Sequence, residues 1–368
     1  MALTPIRLLV VDDSAYNRRN IAEVFADSRD VEIVGKAADG EEALRLATLL
    51  KPDVITLDLE MPRMDGFTFL RILMSRQPTP VIVVSSYSQK ENVFKALELG
   101  ALDFVAKPSA QITPDATELR EQILEKVMLV RSLRGTIPPP VSRRPLSGGF
   151  TADGKPIGPD SAAFRAAAAY APPKFVVAIA SSTGGPSALL EIFSKVPVTS
   201  PAALLVAQHM PDKFTRTFAE RLDRRGPVRT AEGQDGDRVG RLTGFVCPGR
   251  QCMELVQQTS FLRVSVGDPR PTDRYVPSAD RLLTSVAKVV GTRAIGVVLT
   301  GMGDDGARGL LEMRQAGAAT AAQDEQSSVV FGMPRAAIQL GAAATTLPLE
   351  QVAQWLVGAV VQAEEARN

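Results

Sequence analysis

A chain of 368 residues, 45% of them hydrophobic, is long enough for two or three globular domains with buried cores. Its 42 Lys and Arg against 41 Asp and Glu leave a net charge of +1, which gives no general attraction to nucleic acid or anionic membranes. The sequence has no apolar run of the roughly 20 residues that a membrane span needs, and no secretory signal. We therefore expect a cytoplasmic protein without membrane insertion. Two cysteines and one histidine are too few for a zinc site, so we expect Cys247 and Cys252 to be free thiols.

Strand-like and helix-like segments alternate over residues 1–130, from "IRLLVV" and "SAYNRRNIAEVFADS" to "DFVAKP" and "TELREQILEKVMLVRSLR". Five strands with helices between them require right-handed parallel crossovers. This pattern predicts a flavodoxin-like (βα)5 domain with a doubly wound parallel sheet. Ligands of such sheets bind outside the carboxyl ends of the strands.

Polar residues follow four of these predicted strands. Asp12 and Asp13 follow the first strand, Asp58 the third, Ser85 ends the fourth and Lys107 ends the fifth. Three carboxylates at one edge repel one another unless a hard divalent cation such as Mg²⁺ lies among them. A carboxylate beside such a cation can act as nucleophile toward a phosphoryl group, while a lysine and a hydroxyl stabilise the transferred oxygens. The residues therefore predict a magnesium site with a phosphorylatable aspartate.

The segments "VVDDS", "VITLDLEMPRMDG", "VIVVSS" and "DFVAKP" resemble the receiver domain of two-component response regulators, over about residues 4–127. The resemblance implies a histidine kinase as phosphodonor and a receiver domain at residues 1–130. It also assigns the site residues: Asp58 as the phosphate acceptor, Asp12, Asp13 and Asp58 as Mg²⁺ ligands, Ser85 and Lys107 as phosphoryl contacts, and Phe104 as the aromatic switch.

Residues 131–173 are rich in proline, glycine and alanine, a composition that cannot build a core. We interpret them as a linker. The third region, residues 174–365, again contains nearly all-apolar strands, "KFVVAIA", "AALLVAQ" and "AIGVVLT", as expected for strands covered on both faces. It predicts a second doubly wound α/β domain with a mostly parallel sheet. The turn-rich section at about 227–267 is expected to add antiparallel strands.

The strand ends of the third region predict a catalytic triad. A serine, Ser181 or Ser182, follows the first strand, His209 follows the second, and an aspartate, Asp304 or Asp305, lies in "TGMGDDG" after the third. An imidazole activates a serine hydroxyl, and a carboxylate orients the imidazole. Glycines in the last segment free backbone amides to face an oxyanion, and we expect the Met302 amide to be one donor. Taken singly, "SSTGG" also fits a phosphate-binding turn and "GMGDDG" a tight loop.

The segments "AIASSTGGPSALLEI", "AQHMPDKFTRTFAERLD" and "VVLTGMGDDGARGLLEMRQAGA" resemble the catalytic domain of the chemotaxis protein-glutamate methylesterases, the CheB family, over about residues 174–362. The resemblance assigns Ser182 as nucleophile, His209 as base and Asp305 as orienting carboxylate, with Thr183 beside the nucleophile. Cys252 departs from the pattern, because the family often has histidine there.

The resemblance implies a phosphorylation-regulated enzyme that hydrolyses glutamate γ-methyl esters on the cytoplasmic helices of chemoreceptors, with glutamine deamidation as a second activity. It implies no cofactor for ester hydrolysis, and a receiver that covers the active site until phosphorylated. Two alternatives stay open: the same chemistry on receptors of a non-chemotaxis array, and a response regulator with a non-catalytic binding module. A DNA-binding output is disfavoured, because the second half has no basic recognition helix.

Overall fold

The structure is a computed structural model that describes residues 4–86, 90–107, 116–133 and 171–365. The chain separates into two compact units, Met1–Val141 and Ser142–Asn368. Most of the predicted linker at 131–173 lies outside the described residues. In the described part of the chain, no helix is both long and apolar enough to cross a membrane.

The first unit is a five-stranded parallel sheet with the strand order β2-β1-β3-β4-β5, which confirms the predicted flavodoxin-like fold. The order reverses at β1, so β1 and β3 flank the point where such folds bind ligands. The elements in chain order are β1 (Ile6–Val11), α1 (Ala15–Val24), β2 (Val31–Ala37), α2 (Gly40–Leu50), β3 (Val54–Leu57), α3 (Gly66–Arg76), β4 (Val81–Ser86), α4 (Lys90–Glu98), β5 (Asp103–Lys107) and α5 (Ala116–Leu133).

The second unit contains a seven-stranded sheet and a separate three-stranded antiparallel sheet. Its elements are β6 (Phe175–Ser181), α6 (Gly185–Lys195), β7 (Ala202–Gln208), α7 (Asp212–Asp223), β8 (Arg229–Glu232), β9 (Arg238–Val239), β10 (Thr243–Val246), β11 (Cys252–Gln257), β12 (Leu262–Gly267), α8 (Ala279–Val290), β13 (Ala294–Val298), α9 (Ala307–Gln315), β14 (Ala319–Gln323), α10 (Met333–Gln339), β15 (Thr345–Leu347) and α11 (Leu349–Glu365).

The large sheet has the order β15-β14-β13-β6-β7-β10-β8, and all its paired strands run parallel. Every residue of β6, β7 and β13 is buried, as their apolar sequences predicted. After β6 the chain forms β7, β8 and β10 on one side of β6 and then crosses to form β13 on the other side. The carboxyl ends of β7, β6 and β13 therefore lie side by side at a reversal of strand order.

The turn-rich section at 227–267 differs in part from its prediction. Its strands β9, β11 and β12 form the expected antiparallel sheet, but β8 and β10 join the large sheet in parallel. All four residues of β10 are buried, and Gly244 is in register with Leu204 of β7. Strands of four residues are too short for their sequence pattern to indicate strand direction.

Candidate functional site

The carboxyl ends of β6 and β7 place Ser182 beside His209. Ser181 and Gln208 are register partners at the last positions of these strands, so Ser182 and His209 are the next residues along each. The His209 amide donates to the Ser181 carbonyl at 3.0 Å. On the other side, the Ser182 amide donates to the Thr300 carbonyl at 3.0 Å, just beyond β13. Ser182 thus lies between its two neighbouring strands, next to the predicted base.

Asp305 contacts the imidazole directly. The distance between His209 Nε2 and Asp305 Oδ2 is 2.8 Å, and the Asp305 side chain is only 2% exposed. Three backbone amides also donate to this carboxylate, those of Ala279, Asp280 and Gly306, at 2.7 to 3.0 Å. Two of them belong to the first turn of α8, where a helix favours negative charge. These four contacts therefore fix the position of the Asp305 carboxyl group, facing His209.

Asp304 has different partners from Asp305. Its Oδ1 accepts a hydrogen bond from the Tyr275 hydroxyl at 2.9 Å, and its carboxylate pairs with the Arg274 guanidinium at 3.1 Å. The Asp304 side chain is 45% exposed. Of the two adjacent aspartates, only Asp305 is bonded to the imidazole.

The two adjacent serines also differ. Ser181 is fully buried, and its hydroxyl donates to Gln208 Oε1 at 2.7 Å. Gln208 Nε2 in turn donates to the Ser182 and His209 carbonyls, both at 2.9 Å. Ser182 is half-buried at the open edge of the sheet. Our sequence reasoning missed Gln208, although a polar residue ending an apolar strand just before the sole histidine was a signal for it.

The loop after β13 approaches Ser182, the predicted nucleophile, closely. A methyl group added at Gly301 would lie 2.8 Å from Ser182 Cβ, so glycine is required for this contact. The next amide, that of Met302, donates no hydrogen bond within the described residues, and the Met302 residue is 40% exposed. The Thr183 carbonyl accepts a hydrogen bond from Thr300 Oγ1 at 2.9 Å, which ties the residue after Ser182 to this same loop.

Tyr275 is a second residue that our sequence reasoning missed. Its ring stacks on the His209 imidazole, with ring centroids 5.4 Å apart and planes inclined by 14°. It comes from a loop with no periodic pattern, and nothing in the sequence indicated that this loop reaches the imidazole.

The acidic pocket forms at the reversal of strand order in the first unit. Carboxylate oxygens of Asp12, Asp13 and Asp58 lie within 4.8 Å of one another. Asp12 is fully buried, and its Oδ2 lies 2.7 Å from the Lys107 ammonium. Clustered hard oxygen donors of this kind suit Mg²⁺. The residues present therefore fit the predicted ion.

Lys107 contacts both Asp58 and Asp12 across this pocket. Burial raises the pKa of the Asp58 carboxyl, and the charge of Asp12 adds to that effect, while Lys107 opposes it. Burial works to lower the pKa of the Lys107 ammonium, but the facing carboxylates outweigh it and the pKa is raised. Ser85 is fully buried at the end of β4, in register with Ala106 of β5. Phe104 is 3% exposed and packs edge-on against Phe94, with centroids 6.4 Å apart.

Cys247 and Cys252 are both free and buried. Burial raises the pKa of the Cys247 thiol well above its ordinary value and also raises that of Cys252. The Cys252 sulfur lies 3.6 Å from Asp273 Oδ2. Burial therefore disfavours the thiolate, the reactive form, at both cysteines.

Two family models match this chain. The model for CheB methylesterase matches residues 177–356, and the model for the response regulator receiver domain matches residues 8–116. A protein-glutamate methylesterase/protein-glutamine glutaminase of Myxococcus xanthus is 46% identical over 347 residues, covering 94% of this chain and 95% of the relative. One of the same name from Geobacter sulfurreducens is 44% identical, covering 96% of each chain. The crystal structure of the Thermotoga maritima CheB methylesterase catalytic domain is 33% identical, covers 50% of this chain and 97% of that chain, and gives a TM-score of 0.49.

Proposed function

We propose a function from the premise that this chain belongs to the CheB methylesterase family: it hydrolyses glutamate γ-methyl esters on chemoreceptors to glutamate and methanol. The chain is an enzyme of that family with a receiver domain at its N-terminal side. The observation that carries the proposal is the 2.8 Å contact between His209 Nε2 and Asp305, beside a half-buried Ser182. That pair argues against the alternative of a non-catalytic binding module.

Ester hydrolysis at this site proceeds in two steps. The Ser182 hydroxyl attacks the ester carbonyl while His209 takes its proton, and Asp305 stabilises the imidazolium. Because Nε2 is bonded to Asp305, Nδ1 is the ring nitrogen that exchanges this proton. The Met302 amide donates to the oxyanion. His209 then protonates the departing methoxide, which leaves as methanol, and water attacks the acyl-enzyme by the same route to release glutamate.

Deamidation of receptor glutamine is the second activity that we propose. The curated relatives are also named protein-glutamine glutaminases. Attack of Ser182 on the side-chain amide gives an equivalent tetrahedral intermediate, and His209 would protonate the departing amide nitrogen, which leaves as ammonia in place of methanol. No further residue is needed.

We propose that the receiver controls the esterase through phosphorylation of Asp58 by a histidine kinase. Asp12, Asp13 and Asp58 would hold Mg²⁺, which when bound neutralises charge on a transferred phosphoryl group. Ser85 and Lys107 would contact the phosphoryl oxygens, and Phe104 would change its packing in response. Such a change shifts the population of the state in which the esterase is active.

One assay tests the proposed function. The full chain is incubated with methylated chemoreceptor, with and without a small phosphodonor and Mg²⁺, and released methanol is measured. We expect methanol release that the phosphodonor increases. Absence of methanol under both conditions, from a receptor that a known esterase can demethylate, would overturn the proposal.

A further inference from the structure

We infer that Tyr275 is a positioning residue for His209: its ring, anchored by Asp304, fixes the plane of the imidazole for proton exchange with Ser182. The inference deepens the proposed function and rests on it. It comes from three features of the structure: the stacked pair of rings, the anchor of the tyrosine hydroxyl, and the fit of the hydroxyl against the loop after β13.

The stack supplies a restraint that the hydrogen bond to Asp305 lacks. A single bond at Nε2 fixes one atom of the imidazole but leaves the ring free to tilt about it, since the side-chain torsion of histidine next to the ring is broad. Tyr275 lies nearly parallel to the imidazole at a centroid distance of 5.4 Å. It therefore blocks tilting of the imidazole toward that face. The His209 side chain is only 17% exposed beside it, so few water molecules reach the ring.

Tyr275 is itself held at both its hydroxyl and its face. The hydroxyl donates to Asp304 Oδ1 at 2.9 Å, and Arg274 Nη1 donates to the same carboxylate at 3.1 and 3.2 Å. The Arg274 guanidinium also lies 5.3 Å from the centre of the Tyr275 ring. Asp304 thus joins the loop after β13 to the loop before α8, which gives this aspartate a task separate from that of Asp305.

The loop after β13 leaves space for the tyrosine hydroxyl. Gly303 has a φ of 87°, and a methyl group there would lie 2.6 Å from the Tyr275 hydroxyl oxygen. A side chain at position 303 would therefore displace the hydroxyl from Asp304. Because Met302, the proposed oxyanion donor, precedes this glycine, the same loop carries the oxyanion amide and the anchor of the imidazole.

The test uses the fact that His209 is the only histidine of the chain, so its ring signals in NMR spectra of the untagged full-length protein are unambiguous. Tyr275→Leu removes the aromatic ring, while Tyr275→Phe keeps the ring and loses only the hydroxyl. Asp304→Ala removes the anchor and keeps the tyrosine. Tyr16→Leu, at an exposed tyrosine of the first unit, is the matched control.

For Tyr275→Leu we expect kcat for methanol release to fall about 10- to 100-fold, because small displacements of a reacting group cost that much. KM should stay within about twofold, since the substrate contacts are unchanged. The upfield ring-current shift of the His209 ring protons should disappear. Tyr275→Phe should keep most of the ring-current shift and most of kcat. Asp304→Ala should lower the ring-current shift and kcat in part. Tyr16→Leu should match the wild type in every measurement.

Two results would overturn the inference: a normal kcat in Tyr275→Leu despite changed His209 signals, or unchanged His209 signals in that variant. If Tyr275→Leu does not fold, Tyr275→Phe and Asp304→Ala provide the test. A wild-type kcat together with wild-type His209 signals in Asp304→Ala would contradict the anchoring of Tyr275 by Asp304. Failure of the proposed function is distinguishable, since the wild-type chain itself would then release no methanol while its His209 signals still report the stack.

Discussion

Two adjacent serines at the end of β6 make a residue-scale test of the nucleophile. Ser182→Ala should lower methanol release by several orders of magnitude, as loss of a serine nucleophile does elsewhere. Ser181→Ala should keep most of the activity. Ser181→Ala should lower the free energy of unfolding by about 1 to 3 kcal/mol, because Gln208 Oε1 would lose a buried hydrogen-bond donor. Methanol release and thermal unfolding of both variants provide the measurement. Equal losses of activity in the two variants would contradict the assignment of Ser182.

At the scale of single residues, strand ends were predictable and loop contacts were not. The polar residues that follow apolar strands could be read from the sequence, because parallel strands bring their carboxyl ends to one edge. The choice of Asp305 over Asp304 came from the family resemblance, and the structure adds its physical basis, the contact of Asp305 with His209. Tyr275 was not predictable, since its loop crosses to the imidazole from a region without periodicity.

At the scale of elements, the N-terminus of α8 has two separable tasks. Ser278 caps the helix by accepting from the Arg281 amide, whereas the amides of Ala279 and Asp280 donate to Asp305. Ser278→Ala should lower the stability by about 1 kcal/mol and leave kcat near the wild-type value. Asp305→Ala should lower stability more than that, because three backbone amides lose their acceptor, and should also reduce kcat about 10⁴-fold, because the imidazole loses its partner.

Thermal unfolding and methanol release of the two variants check this prediction together. Ser278→Ala is the matched control, since it loosens the same helix end without touching the imidazole. A loss of kcat in Ser278→Ala as large as that in Asp305→Ala would mean that the helix end, and not the carboxylate, supports the reaction.

The strands of both parallel sheets were predictable where they are long and uniformly apolar. Burial on both faces leaves a strand such as β7 without alternation, and that absence indicated parallel pairing. The short strands β8 and β10 carry no such signal, and the positions of β10 beside β7 and of β8 beside β10 are set by tertiary packing. The sequence could therefore predict the central strands of the sheet but not its edge.

At the scale of the whole molecule, two parallel sheets carry different functional groups at the carboxyl ends of their strands. The edge of the first sheet gathers carboxylates around Asp58, and the edge of the second gathers a hydroxyl, an imidazole and one carboxylate. With 42 basic and 41 acidic residues in total, no overall charge links the two sites. The proposed control of the second site therefore depends on a chemical change at Asp58, which can be tested by substitution.

Asp58→Asn tests that dependence. Asparagine keeps the size of the side chain but cannot form an acyl phosphate, so the phosphodonor and Mg²⁺ should no longer increase methanol release. The basal rate without phosphodonor should stay near that of the wild type, because Ser182, His209 and Asp305 are unaltered. Asp53→Asn, at a receiver aspartate that bonds the Arg7 amide, is the control and should keep activation. If the phosphodonor still activates Asp58→Asn, another residue accepts the phosphate and the proposed route from Asp58 to the esterase is wrong.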